Sequence, residues 1–499
     1  MARKKVESEQ GVVGQELLGL QEAAAALGVS RSTLTRWLAE GRLRGMKVGR
    51  QWRFRRADLD KFGQMAHPSA AAVNVGDLDG IVAGLGVKLE GVSTDPALPN
   101  YPNTEEEIAV DRLVLSLLMN AVSADASDVH IELAQENSVV RTRIDGVLHE
   151  TARLPRAAHK ALLACIKYHA DMAVDQTTPN QDGIFGLKVG EQTYHVRVST
   201  LPAVYGESAV MRILPQSAQI PDFERIGMRE EDKNKFLHAL RAPVGLVIVT
   251  GPTGSGKTTV MYAGLRHVVN PELKTLSIED PVEVVIPWIT QVPVNRKAGM
   301  TFEHTVRAVM RHDPDIIMVG AINSLAVAEG CLQAAMSGHL VVSSLHAAGA
   351  TPAVSRLLEM GLEPFMVAES LLCVVSTRLA RKVCPKCAEP EEVPFDVLSP
   401  LAERARQGGY TLPPNPRFMR GKGCDHCRGT GHRGRTGLYE VMEVDEDLMR
   451  LILARASTRD LQEAAVKKGM RTLAADGLRK AAEGITSVFE AARVTHTAE

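Results

Sequence analysis

The sequence predicts an α/β chain organised around a nucleotide-binding domain, with a small winged helix ahead of it and a metal hook behind it. Three observations carry that expectation. Residues 251–258 read GPTGSGKT, a complete G-x-x-x-x-G-K-[ST] element set between the apolar run 245–249 and a helix-like stretch from Thr259 to Val269. Segments on either side alternate between strand and helix periodicity. Four of the seven cysteines form two C-x-x-C pairs.

With 499 residues, 45% apolar and 23% charged, the chain is too long for one core and ordinary in composition, so three or more domains are expected. A net charge of −1 excludes a surface that is basic throughout, and any contact with nucleic acid or membrane has to be local. No run approaches the roughly 20 apolar residues of a membrane span. Met1-Ala2-Arg3-Lys4-Lys5 leads into Glu and Gln instead of an apolar signal core. The expected location is the cytoplasm, compatible with peripheral docking at the inner membrane.

Residues 1–65 read as a winged helix-turn-helix. Gln21 to Leu27 is Ala-rich, Gly28 supplies a turn, and Ser30 is placed to cap a second helix with Leu34, Trp37 and Leu38 on one face. Arg31, Ser32, Thr35 and Arg36 then point outward. Gly41 ends that helix, and Met46 to Phe54 alternates around a Gly-Arg turn as a hairpin, with Lys47, Arg50 and Arg53 along the wing. Nine Arg or Lys against one acid, Glu40, lie between Arg31 and Arg56, the footprint of phosphate contact. Through Leu20 to Ala24, Leu27 to Thr33, Gly41-Arg42-Leu43 and Val48 to Phe54, this stretch resembles the excisionase-like branch of the MerR-type DNA-binding domains. The resemblance implies a helix in the major groove and a wing on the backbone. A helical module that binds protein is the alternative.

Residues 66–104 are rich in Ala, Gly and Pro and read as a flexible linker with one short helix near Leu78 to Leu85. Regular structure resumes at Thr104-Glu105-Glu106-Glu107, a helix start, and 108–121 has helical apolar spacing. Strands at 128–132 and 139–146, a helix from Arg156 to Met172 and strands near 184–189 and 193–199 make an α/β domain over 105–220.

The domain expected over 221–380 holds the phosphate loop. A buried strand feeding a glycine-rich turn lets the backbone N–H groups of Gly251, Thr253, Gly254, Ser255, Gly256, Lys257, Thr258 and Thr259 surround a phosphate at a helix N-terminus. Lys257 pairs with the β/γ-phosphates and Thr258 holds Mg²⁺ in this motif, so ATP and Mg²⁺ are the expected ligands. Over 381–440, Cys384, Cys387, Cys424 and Cys427 have the spacing of a closed tetrahedral Zn²⁺ site, the two pairs being separated by a Pro-rich insertion. Paired redox thiols are the alternative. Cys165, Cys331 and Cys373, among apolar helix residues, read as core filler. Residues 441–499 read as helical.

From about 105 to 495 the chain resembles the ATPases of type II secretion and type IV pilus assembly. The resemblance rests on Ala126 to Glu132, Arg143 to Leu148, Gln181-Asp182-Gly183, Val198 to Pro202, Tyr205-Gly206-Glu207, the phosphate loop, Ile278 to Glu283, Arg311 to Gly320, Ser337 to His346 and Gly434 to Glu440. It implies a RecA-like P-loop NTPase core, contacts of Arg197 and Arg212 to nucleotide or a neighbouring subunit, and assembly as a hexameric ring beside an inner-membrane platform protein. It also implies catalytic roles for Glu279 and Glu283, beside Asp280, in an acidic box that positions Mg²⁺ and water. His339 and His346 fall in its histidine box.

The chain departs from that family after the strand 315–320, where Glu-Ile-Arg-Asp is expected and Ala321-Ile322-Asn323-Ser324 stands instead. Loss of a positioned carboxylate is worth ~10²–10⁴-fold in rate. Thr177, Thr178 and Ile184 likewise replace arginines that the family places around Gln-Asp-Gly. Three readings follow: a secretion or pilus motor protein with weakened hydrolysis and an added DNA-binding module, a DNA-binding regulator that uses a degenerate ATPase ring for nucleotide sensing, and a DNA-translocating motor.

Overall fold

The computed structural model describes residues 17–26, 34, 43, 45–48, 51–56, 59, 75–89, 92–95, 104–216, 220–295 and 298–496, which fall into two compact units divided between Ser217 and Ala218.

The first unit begins with Leu17–Gly19 (β1), Leu20–Ala26 (α1), Met46–Val48 (β2) and Gln51–Arg55 (β3), with β3 paired antiparallel between β1 and β2. The expected wing hairpin is present, in the register Met46↔Arg53, Lys47↔Trp52, Val48↔Gln51. Ala23, Leu34, Leu43, Phe54 and Leu59 form its small buried core, which places Leu34 inward as its helical pattern predicts. Arg31, Ser32, Thr35, Arg36 and Arg50 lie outside the described residues.

The segment read as a linker contains two elements, Val75–Leu85 (α2) and Val92–Asp95 (β4). Leu78, Ile81, Val82 and Leu85 recur at helical spacing and pack on Glu105–Ser123 (α3), where Arg112 reaches Asp79 at 3.3 Å and Asn120 donates to the Leu85 carbonyl at 3.4 Å. Tertiary burial of that stripe outweighs the helix cost of its glycines. The helix start predicted at Thr104 is a capping box: Thr104 Oγ1 accepts from Glu107 N–H and Glu107 accepts from Thr104 N–H, each at 3.1 Å.

Ala126–Leu133 (β5), Asn137–Ile144 (β6), Val147–Pro155 (β7), Arg156–His169 (α4), Gln181–Val189 (β8), Gln192–Pro202 (β9) and Glu207–Pro215 (β10) complete the unit. The larger, seven-stranded sheet of this unit runs β4-β8-β9-β10-β5-β6-β7, every neighbour antiparallel, and α2, α3 and α4 share one apolar core with it. Arg212 donates to Asp128 at 2.9 Å, and its strand neighbour in register is Arg197.

The second unit opens with Phe223–Ile226 (α5) and Glu230–Leu240 (α6). Gly245–Thr250 (β11), Lys257–Val268 (α7), Thr275–Glu279 (β12), Ile289–Pro293 (β13), Phe302–Val309 (α8), Ile316–Ile322 (β14), Leu325–Met336 (α9), Leu340–Leu345 (β15), Ala350–Glu359 (α10) and Pro364–Ser370 (α11) follow. The chain continues through Leu371–Val383 (β16), Ala388–Pro390 (β17), Phe395–Gln407 (α12), Met419–Gly421 (β18), His432–Glu443 (β19), Glu446–Leu453 (α13), Thr458–Lys467 (α14), Leu473–Ala482 (α15) and Val488–Thr495 (α16). The main sheet has the order β13-β12-β14-β15-β11-β16-β19, parallel from β13 to β16 with β19 antiparallel at the edge. Both faces are covered, so its central strands are continuous apolar runs; all six residues of β11 are buried.

The Pro-rich insertion between the cysteine pairs is a folded piece, with Leu401 and Ala405 of α12 buried against α15 and α16. Cys331 and Cys373 are buried as filler, Cys373 on a strand instead of a helix. Among the described residues no helix is long and apolar enough to cross a membrane.

Candidate nucleotide site and cysteine centre

Strand β11 delivers the chain at the carboxyl edge of the parallel sheet, the edge where open α/β sheets receive ligands. The loop needs its glycines: Gly251, Gly254 and Gly256 have φ of 149°, 73° and 94°, and a Cβ at Gly251 would lie 2.5 Å from both Ser255 Oγ and the Thr377 carbonyl oxygen. Pro252, Thr253 and Gly254 are exposed at the tip, while Gly256, Lys257, Thr258 and Thr259 are half-buried. Lys257 Nζ donates to the carbonyls of Gly251 and Pro252, each at 2.9 Å. Ser255 Oγ is buried with no hydrogen-bond partner. A backbone cradle, an ammonium turned onto main-chain carbonyls and an orphaned hydroxyl fit a nucleotide phosphate with its Mg²⁺.

Two side chains add positive character beside the loop. Burial lowers the Lys257 pKa, and the Arg378 charge lowers it further. Arg378, on β16, donates to the carbonyls of Ala348 at 2.8 Å and Thr377 at 3.2 Å. It is a candidate phosphate contact that sequence reading misses, because a lone arginine in a strand pattern reads as solvated. His346 follows β15; burial and then the Lys257 charge lower the pKa of its imidazole. Its loop is fixed by Thr250, whose hydroxyl accepts from Ala347 N–H at 3.1 Å. His339 stands at the other end of β15, half-buried, its Nδ1 2.9 Å from the Ala334 carbonyl. The histidines expected as a pair are therefore separated by the length of a strand.

Glu279 ends β12 and is 3% exposed. One carboxylate oxygen accepts from Tyr262 of α7, and the other accepts from Ser277 at 2.5 Å and Gln291 at 3.0 Å. Burial and the Glu279 bond raise the Tyr262 pKa, so the phenol stays protonated as the donor. Glu279 is thus bound on both oxygens, whereas Asp280 and Glu283 are exposed. Ala321 lies at the same edge: Leu345 pairs with Thr250 on one side and Ile322 on the other, so position 321 is two strands from the start of the loop. The next two positions carry no carboxylate: Asn323 and Ser324 are exposed, and Ser324 caps α9 by accepting from Val327 N–H at 3.4 Å.

Strand β16 runs from this site into the cysteine centre. The Sγ atoms of Cys384 and Cys424 are 3.9 Å apart, those of Cys387 and Cys427 3.8 Å, and those of Cys424 and Cys427 3.7 Å. Four thiolates about 2.3 Å from a tetrahedral Zn²⁺ would be about 3.8 Å apart. Cys427 Sγ also accepts from the N–H groups of Cys424 and Gly431, each at 3.2 Å. The set can hold a zinc ion as a closed, structural site.

A family model described as "Type II/IV secretion system protein" matches residues 103–493, and one described as "Helix-turn-helix domain" matches 17–64. The chain is 39% identical over 403 residues to type II secretion system protein HxcR of Pseudomonas aeruginosa, covering 81% of each chain. It is 38% identical over 429 residues to type II secretion system protein E of the same species, covering 86% of this chain and 83% of that one. Type IV pilus assembly ATPase PilB of Thermus thermophilus is 40% identical over 388 residues, 77% of this chain and 43% of that protein, so the chain spans less than half of that relative. Among solved structures, the Legionella pneumophila ATPase DotB aligns with a TM-score of 0.56 at 19% identity, over 75% of this chain and 93% of that one. The pilus retraction motor PilT with bound ADP aligns at 0.51 and 23% identity, over 75% and 94%. These two show the shared RecA-like fold. With most of its length matched by the family model and by relatives of similar extent, the chain belongs to the type II/IV secretion system protein family and carries a helix-turn-helix domain ahead of the family region.

Proposed function

We propose that this chain is an ATP-binding secretion or pilus-assembly ATPase relative that holds nucleotide well, hydrolyses it slowly, and binds DNA through residues 1–65. The observation that carries the reading is the contrast at one sheet edge: a complete phosphate loop, with Ala321 where the family pattern calls for a carboxylate. Gly251, Thr253, Gly254, Ser255, Gly256 and Thr259 would surround the phosphates with backbone N–H groups, Lys257 would meet the β/γ-phosphates, and Thr258 would hold Mg²⁺. Mg²⁺ supplies charge neutralisation there. Glu279 would fix the acidic turn, leaving Asp280 and Glu283 to orient the metal's water shell and His346 to face the nucleotide. His339 lies at the other end of β15 from His346 and would stand apart from the nucleotide.

By its family the chain would assemble as a hexameric ring in the cytoplasm, docked on an inner-membrane platform protein. Zn²⁺ at Cys384, Cys387, Cys424 and Cys427 would tie the hook to β16. Ala321 also favours a second reading, a DNA-binding regulator in which the ring senses nucleotide without turning it over. Equilibrium binding of ATP with Mg²⁺, run beside steady-state phosphate release, tests the proposal. Micromolar binding with release far below about 1 s⁻¹ supports it. No binding, or release at the rate of an active relative, refutes it. A platform protein that raises release would favour the motor reading over the regulator.

A further inference from the structure

We propose that Asp111, Cys165 and His169 form a second metal site, suited to Zn²⁺, that clips α3 to α4 in the first unit. Cys165 and His169 are four residues apart on α4, which puts both on one helix face, and Asp111 faces them from α3. Asp111 Oδ1 is 2.6 Å from His169 Nε2 and 3.8 Å from Cys165 Sγ, and the three ligand atoms all lie within 4.8 Å of one another. An Asp–His hydrogen bond accounts for two of these groups. The Cys165 thiol also donates to that carboxylate oxygen, so imidazole and thiol converge on one Asp111 oxygen with three different metal-ligating groups at one point.

The donor set is chemically matched to a borderline-soft dication: one thiolate, one imidazole, one carboxylate. Binding would release the Cys165 proton to solvent, and the thiolate and the Asp111 carboxylate would then cancel the charge of Zn²⁺. A neutral centre carries little of the penalty that an unpaired ion meets in a core. Tetrahedral zinc holds such donors about 3.3–3.7 Å apart, so the Asp111–His169 contact opens by about 0.7 Å and the Cys165–Asp111 separation barely changes. The fourth position falls to water on the Asp111 side, where that side chain is 18% exposed against 7% for His169.

The test is zinc content of the full-length chain purified without chelator, with Cys384→Ser/Cys387→Ser and Cys165→Ala variants alongside. The proposal expects a zinc that survives in the first variant and is lost in the second, giving two per wild-type chain when the four-cysteine centre is also filled. Zinc that disappears entirely with Cys384 and Cys387, or no zinc at all, overturns it. Should Cys165→Ala fail to fold, cobalt titration of the chelated wild-type chain decides. A second equivalent must bind with a weaker thiolate-to-cobalt band than the first, and saturation after one equivalent with a four-thiolate spectrum overturns the site.

Discussion

Thr377 donates its hydroxyl to the carbonyl of Ser255 at 3.1 Å, joining β16 to the phosphate loop. The loop is thereby held from the side by a strand whose far end carries Cys384. Thr377→Val keeps the shape and leaves a buried carbonyl without this donor, a loss of about 1–3 kcal/mol. ATP affinity should fall about 5–10-fold in an equilibrium titration, with the fold intact by circular dichroism. Lys257→Ala should abolish binding. An unchanged affinity in Thr377→Val would show that the loop is ordered without the strand.

Chelation at the four-cysteine centre should loosen the hook without removing nucleotide binding, because a structural zinc contributes folding energy to its own module. Hydrogen exchange should accelerate in 384–431 and remain slow in β11 and β15. Loss of nucleotide binding on chelation would make the two sites one cooperative unit.

Glu490 sets an acid limit on the C-terminal helices. Burial alone would raise its carboxyl, but hydrogen bonds from Arg493 and Arg381 outweigh burial and hold it at about 2. A carboxyl depressed in the folded chain contributes stability that is fully present above its unfolded value and is lost as pH falls through the folded one. That window runs from about pH 4.5 down to about pH 2. Glu490→Gln should cost roughly 2–3 kcal/mol at pH 7, below the 3–5 typical of a broken buried pair because Arg493 can rehydrate. The cost should shrink across the same window in denaturant titrations. A cost independent of pH would assign the loss to packing.

Neutralising Lys47 and Arg53 together in the full-length chain should weaken binding to all duplex sequences alike and reduce the slope of log K against log salt by up to about 1.8. Arg31→Ala and Arg36→Ala should instead change sequence preference. Fluorescence anisotropy at two salt concentrations separates these outcomes, and no binding at low salt would assign the domain to protein docking.

Local features were the legible ones. The phosphate loop, the wing hairpin and the two C-x-x-C pairs each depend on residues within a few positions, so their spacing alone announces them. In the segment 75–95 the helix is legible but β4 is not, because its pairing with β8 joins residues far apart in the chain and no local pattern marks it. The partners of Glu279 were hidden as well: Tyr262 and Gln291 are 17 and 12 residues away and meet it only in the folded chain, one from helix α7 and the other from the neighbouring strand β13. Arg378 and the Asp111, Cys165, His169 set are likewise brought together by topology, since no periodicity links α3 to α4. The two histidines of one motif looked adjacent in function, yet a strand of six residues intervenes.

Steady-state phosphate release by Ala321→Glu beside the wild-type chain, both saturated with ATP and Mg²⁺, tests the central claim most directly. The account predicts slow release by wild type and an increase of at least about 10-fold in the variant, the lower part of the ~10²–10⁴ range of a positioned carboxylate being reduced by the remaining changes at Asn323 and Ser324. Wild-type release already equal to that of an active relative, with no gain from Ala321→Glu, would contradict it.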